Sequence, residues 1–131
     1  MSNQTIAAAL ASRLALLNLP TQYENSAFTP VAGVVYLSEA ILPSTTLAVG
    51  LATTAADEYS GIYQVTVHAP KGGTKGPGMA TAKQIQEHFP RGLELVRDGI
   101  KVTMLRCSQA PAITDGDRWL IPISIDYRAL I

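Results

Sequence analysis

Two stretches limit what this chain can fold into more than any others. GIYQVTVHAP (residues 61–70) and WLIPISIDY (residues 119–127) alternate apolar and polar residues with a two-residue period. In the first, Tyr63, Val65 and Val67 share one face while Gln64, Thr66 and His68 share the other. In the second, Trp119, Ile121, Ile123, Ile125 and Tyr127 fall on one side. Such a period sets apolar side chains on one face of a pleated strand. A chain with two runs of this kind must build a sheet with one covered face. Pro122 lies inside the second run and lacks an N–H, so that strand is expected at a sheet edge or with a bulge there.

The cover is legible too. Ile6, Leu10, Leu14 and Leu17 recur at helical spacing with Ala9 beside them, Ser2 or Asn3 can cap the start, and Leu19-Pro20 ends the pattern. Met79, Ala82, Ile85 and Phe89 form a second stripe against Lys83, Gln84 and Glu87, closed by Pro90 and Gly92. Residues 21–33 read as an irregular connection, residues 34–42 as a strand between Gly33 and Pro43, and residues 45–51 as a second strand. Asp57 to Gly61 reads as a surface turn. LELVRDGIKVTMLRC (residues 93–107) reads as a hairpin turning on Asp98-Gly99. Strands cluster instead of alternating with helices. The expected class is therefore α+β, a mostly antiparallel β-sheet with two α-helices packed on one face. At 131 residues the chain is expected to be a single domain, 1–131.

Composition narrows the function. Ten basic residues balance ten acidic ones, so net charge gives no drive toward nucleic acid or an anionic membrane. Only 15% of residues are charged, against about 25% in an average domain. Residues 1–56 carry just Arg13, Glu24 and Glu39, and Ala40 to Ala56 carry no charge at all. That last stretch is too short and too rich in Thr, Gly and Pro for a membrane helix. Without a basic segment before a signal-like core, the chain is expected to be cytosolic when made. An uncharged, β-prone stretch either lies inside the sheet or is covered by another subunit, so Leu47, Val49 and Leu51 are candidate subunit contacts.

The glycine-rich loop after residue 70 (KGGTKGPGMA) invites a phosphate reading, which its spacing rejects. Counting from Gly73, Met79 and Ala80 stand where a phosphate loop needs Lys and Ser/Thr, and a dinucleotide fingerprint would need glycine at Thr81. The loop reads as an excursion between strand and helix. A small anion- or nucleotide-binding domain using Lys71 and Lys75 is kept only as an alternative function. His68 and His88 lack the spacing of a metal motif, and no G-x-S-x-G elbow exists. Asp115-Gly116-Asp117 reads as a turn. Cys107 reads as a small buried apolar residue. Arg91, Arg97, Lys101 and Arg106 are spread among acids, as on a solvated sheet face. No catalytic residue, metal ligand or cofactor is expected.

The ordered set of short segments resembles the phage tail terminator-like family (minor tail protein U type) of long-tailed bacteriophages. The resemblance runs from an N-terminal helix through Tyr23-Glu24-Asn25, Phe28-Thr29-Pro30, Gly61-Ile62-Tyr63-Gln64-Val65 and Ala69-Pro70. It continues with a glycine-rich loop, a helix ending Phe89-Pro90-Arg91-Gly92, then Ile121-Pro122-Ile123 and Tyr127-Arg128. Residues 44–58 match least. The resemblance implies a non-enzymatic α+β subunit that forms a ring, typically a hexamer, on the head-proximal end of the tail tube. Such a ring ends tube polymerisation and presents the head-joining surface. The implied partners are the chain itself, the tail tube protein and a head–tail connector protein. The implied location is host cytoplasm during assembly, then the virion tail. In such a ring the loop, with Lys71, Gly73, Lys75 and Gly76, is expected to face the lumen or a stacked neighbour. A neck or head–tail completion protein is the alternative within the same structural class.

Overall fold

The computed structural model describes residues 2–24, 28–29, 33–44, 46–48, 57–70, 76–116 and 118–130. Along the chain these form α1 (Ser2–Ala15), β1 (Thr21–Gln22), β2 (Tyr36–Pro43), β3 (Leu47–Ala48), β4 (Asp57–Pro70), α2 (Gly76–His88), β5 (Glu94–Arg97), β6 (Ile100–Gln109), β7 (Ile113–Asp115) and β8 (Arg118–Leu130). The strands make one sheet in the order β1-β2-β4-β8-β6-β5, with β3 on β4 and β7 on β8. The class is α+β, as expected. The sheet is mixed, because β1 runs parallel to β2 while the other pairs are antiparallel.

The two alternating runs lie side by side. β4 pairs β8 without a break from Glu58↔Leu130 to Pro70↔Arg118, so Tyr63 meets Ile125, Val65 meets Ile123 and Val67 meets Ile121. These residues are buried on a common face with Leu37 of β2 and Val102 and Met104 of β6. The stripes of both helices, Ile6, Leu10 and Leu14 with Ala82, Ile85 and Phe89, join the same buried cluster. Each Leu, Ile or Phe side chain among them contributes about 1.5–3 kcal/mol when fully withdrawn from water. The Asp98-Gly99 turn is as read: both residues have positive φ (53° and 78°), and Arg97 pairs with Ile100.

Three expectations are corrected. Asp57–Gly61 is not a turn but the first part of β4, held by pairing to β8. Pro122 marks neither an edge nor a bulge, for β8 lies between β4 and β6. The carbonyl of Pro122 accepts the Ala110 N–H at 2.8 Å, and a residue's N–H and C=O project to the same side of a strand. The missing N–H therefore faces Ala110, one residue past the last β6 pair (Gln109↔Ile123), so the β6–β8 ladder ends there and β7 resumes the pairing at Ile113↔Leu120. The register shift falls instead between Met104 and Arg106. Third, Gly76-Pro77-Gly78 belongs to the first turn of α2 and not to the preceding loop. Met79, expected in the buried stripe, is 43% exposed, and Gly78 takes the inward place. A Cβ on Gly78 would lie 2.9 Å from the Ala69 Cβ and 3.0 Å from Ile121 Cδ1, so this glycine lets the helix start sit directly on the sheet.

The C-terminal ends of the helices are clasped together. Arg13 donates from Nε (3.1 Å) and Nη2 (2.9 Å) to the His88 carbonyl, and His88 Nε2 donates to the Arg13 carbonyl at 2.6 Å. Each helix thus supplies donors to the other's last turn, where carbonyls lack intrahelical partners. His88→Ala removes one of these donors and is expected to lower the unfolding free energy by about 1–2 kcal/mol in urea denaturation. An unchanged midpoint would show that the clasp contributes nothing to stability.

Gly61 is the tightest point of the sheet. A Cβ there would lie 2.5 Å from the Leu42 carbonyl oxygen, a backbone atom of the paired strand, and 2.7 Å from the Tyr127 hydroxyl. Gly61→Ala is expected to lower stability by about 3 kcal/mol or more, against the 1–3 kcal/mol typical of overpacking. Thermal unfolding checks this, and a melting temperature within a degree of the parent would contradict it.

Candidate functional site

The described surface has two features that a solvated subunit does not need. The first lies on the sheet face opposite the helices. Leu42 and Ile62 are cross-strand partners on that face, Leu105 of β6 is exposed beside them, and the register irregularity in β6 sets Arg106 on the same side as Leu105. Bulged positions commonly re-aim a side chain in this way. The three apolar residues line a shallow depression of about 500 Å³, bordered by the Arg106–Asp126 ion pair at 2.9 Å. β3 sits just beyond the end of β2 along β4, and its Leu47 is 54% exposed.

Of the expected contact residues, Leu47 is thus placed at the surface near this depression, and Gly76 opens α2. Val49, Leu51, Lys71, Gly73 and Lys75 lie outside the described residues.

The second feature is a pair of hollows flanking α1. On one side Arg13 of α1 and Leu16 just after it face Val96 and Arg97 of β5 across a groove of about 310 Å³. Leu16 and Val96 are 65% and 67% exposed, the highest values among the large apolar residues described. On the other side Ala7, Ala8 and Ala11 face Glu24, Glu39 and Ile41 across a cleft of about 290 Å³. Sequence reading missed both hollows. Which strand ends face the sides of α1 depends on sheet order, which no local pattern gives.

Titratable groups here serve packing. The Tyr63 hydroxyl donates to Glu39, and burial, that bond and the carboxylate's charge together hold it above the usual tyrosine range. Burial also raises the Tyr127 hydroxyl, whose oxygen has no hydrogen-bond partner among the described residues. Cys107 is half-buried, and its thiol is pushed up to about 11 by burial first and then by the Asp126 charge. His68 shares a 2.8 Å hydrogen bond with Ser38 Oγ and stacks flat on Tyr36 at 4.3 Å between centroids. Arg118 lies 4.8 Å above the same ring, and Phe28 leans on it at 5.1 Å. That serine–histidine contact follows from the β2–β4 register, which brings Tyr36 opposite His68. His68 and His88 point to opposite sides of the sheet. No group of three or more metal-ligating side chains occurs among the described residues. Nor is any described helix long and apolar enough to cross a membrane.

A family profile described as phage tail terminator protein matches residues 5–127. One solved protein structure is 29% identical and superposes with a TM-score of 0.82, covering 98% of this chain and 96% of the other. A second, a chain from the virion of a native gene transfer agent particle, is 16% identical with a TM-score of 0.63, and 98% and 97% of the two chains are covered. At that identity it attests the fold. No curated protein sequence matches the chain.

The Cys107 environment has a measurable consequence. Only thiolate reacts with alkylating agents, and a thiol held near 11 is almost wholly protonated at pH 8. Iodoacetamide labelling of the native chain at pH 8 is expected to be at least about tenfold slower than after unfolding, and to accelerate up to about pH 11. Equal rates for native and unfolded chain would overturn that picture.

Proposed function

The chain belongs to the phage tail terminator family, and from that membership we propose that it acts as a structural subunit in a ring at the head-proximal end of the tail tube. The ring, expected to be hexameric, ends tube polymerisation and presents the surface that the head or its connector meets. Residues 1–131 act as one unit in this role. Assembly takes place in host cytoplasm, and the ring then stays in the virion tail. The reading requires no catalysis and no cofactor.

The observation that carries the proposal is the family match across residues 5–127. The surface agrees with it. A low-charge chain with apolar residues exposed at a sheet depression and beside α1 suits repeated protein contacts. Leu47, Val49 and Leu51 remain the proposed subunit contact. Lys71, Gly73, Lys75 and Gly76 remain the proposed contact with the tube or a stacked neighbour.

Tail length in a phage lacking this protein is the decisive measurement. Electron microscopy of such lysates is expected to show tubes of uncontrolled length without heads, with normal tails restored by the protein in trans. Normal-length tails that fail to join heads would make the chain a neck protein instead.

A further inference from the structure

The two hollows beside α1 are lined by charges of opposite sign. They lie on either side of the buried stripe Ile6, Leu10 and Leu14, one at each end of the sheet. The β5 groove is basic: Arg13 and Arg97 line it, and neither has an ion-pair partner among the described residues. Arg97 donates to Ser12 Oγ at 3.1 Å, while Arg13 is spent on the His88 carbonyl. The β2 cleft is acidic: Glu24 and Glu39 line it and likewise lack a cation. Glu24 accepts the Ile41 N–H at 2.7 Å, and Glu39 accepts the Tyr63 hydroxyl. Each carboxylate keeps acceptor capacity, and each arginine keeps its charge.

The side chains differ along with the charge. Leu16 and Val96, which line the basic groove, are exposed, while the acidic cleft is walled by Ala7, Ala8 and Ala11. The backbone differs between the two ends as well. The Gly92 N–H to Met104 and Met104 N–H to Leu93 bonds turn the odd residues of β5 toward β6, which leaves the N–H and C=O of Glu94 and Val96 facing outward. At the far end, β1 and the Glu24 carboxylate occupy the outer side of β2. One end is open with projecting apolar side chains, and the other is closed around an acidic hollow.

We propose that a second copy of this chain occupies each hollow: the Arg97 end of one subunit docks into the Glu24 end of the next. Because the two surfaces differ, the contact is head-to-tail, and repeating it closes a ring when the rotation per step divides a full turn. The inference rests on the ring reading above and names the surfaces that would build it. Interfacial charge of this kind fixes register and suppresses wrong partners. Association is therefore expected to weaken as salt rises.

The test is reciprocal charge reversal, read by sedimentation velocity over a wide concentration range and by negative-stain images of tail-tube ends. Arg97→Glu and Glu24→Arg each alter an exposed side chain. Circular dichroism and melting temperature serve to confirm that both variants fold. Each alone is expected to weaken assembly by roughly tenfold or more, since it sets like charges opposite one another. An equimolar mixture of the two is expected to assemble again, because every contact then joins opposite charges. The chain carrying both substitutions should assemble on its own. Full assembly by each single variant, with wild-type rings present, would overturn this pairing while leaving the ring itself intact. A wild-type chain that forms rings neither in solution nor on tube ends would overturn the ring reading, and this pairing with it.

Discussion

The ladder between β4 and β8 is the constraint on which the rest depends. It runs unbroken from Glu58↔Leu130 to Pro70↔Arg118 and stands at the centre of the sheet. Its register sets Tyr63, Val65 and Val67 against Ile125, Ile123 and Ile121, so one face is apolar along its whole length. A slip of a single residue would send that entire set to the other face, a penalty no alternative pairing recovers. Both helices are then placed by the same requirement, since their stripes can be buried only there. The clasp between Arg13 and His88 fixes their last turns relative to one another.

Centring the sheet on that ladder decides what is left at its ends. β5 becomes a terminal strand, and β2 the other flank with only the short β1 beyond it. Edge strands expose backbone groups and must be blunted, covered or used. Here the β2 flank is blunted by the Glu24 carboxylate on Ile41, while β5 stays open beside Leu16 and Val96. For a subunit that repeats around an axis, two unlike ends are the natural requirement. The Tyr63–Glu39 hydrogen bond ties β4 to β2, and burial raises the Cys107 thiol.

Particular residues show where sequence reasoning was sufficient. The period-two runs and the helical stripes marked which residues are buried, from Ile6 and Leu10 to Ile123 and Tyr127. Asp98-Gly99 announced its own turn. The errors have a common cause. Asp57–Gly61 and Pro122 were judged by their local residue types, yet pairing with a neighbouring strand overrode the first and a gap in the ladder accommodated the second. Gly78 looked like loop flexibility, but its missing side chain is a packing feature against Ala69 and Ile121.

The sequence by itself determined which faces are apolar, how many helices cover the sheet, and the α+β class, because periodicity is set by backbone geometry within each segment. It also carried the family resemblance, in short segments whose order was preserved. Only the tertiary structure decided which strands lie at the ends, which charges gather around α1, and which side chains meet across strands, as Ser38 meets His68. Those outcomes rest on contacts between residues far apart in the chain. No local pattern encodes sheet order or register, so the two unlike ends of this subunit could be seen only once the strands were in place.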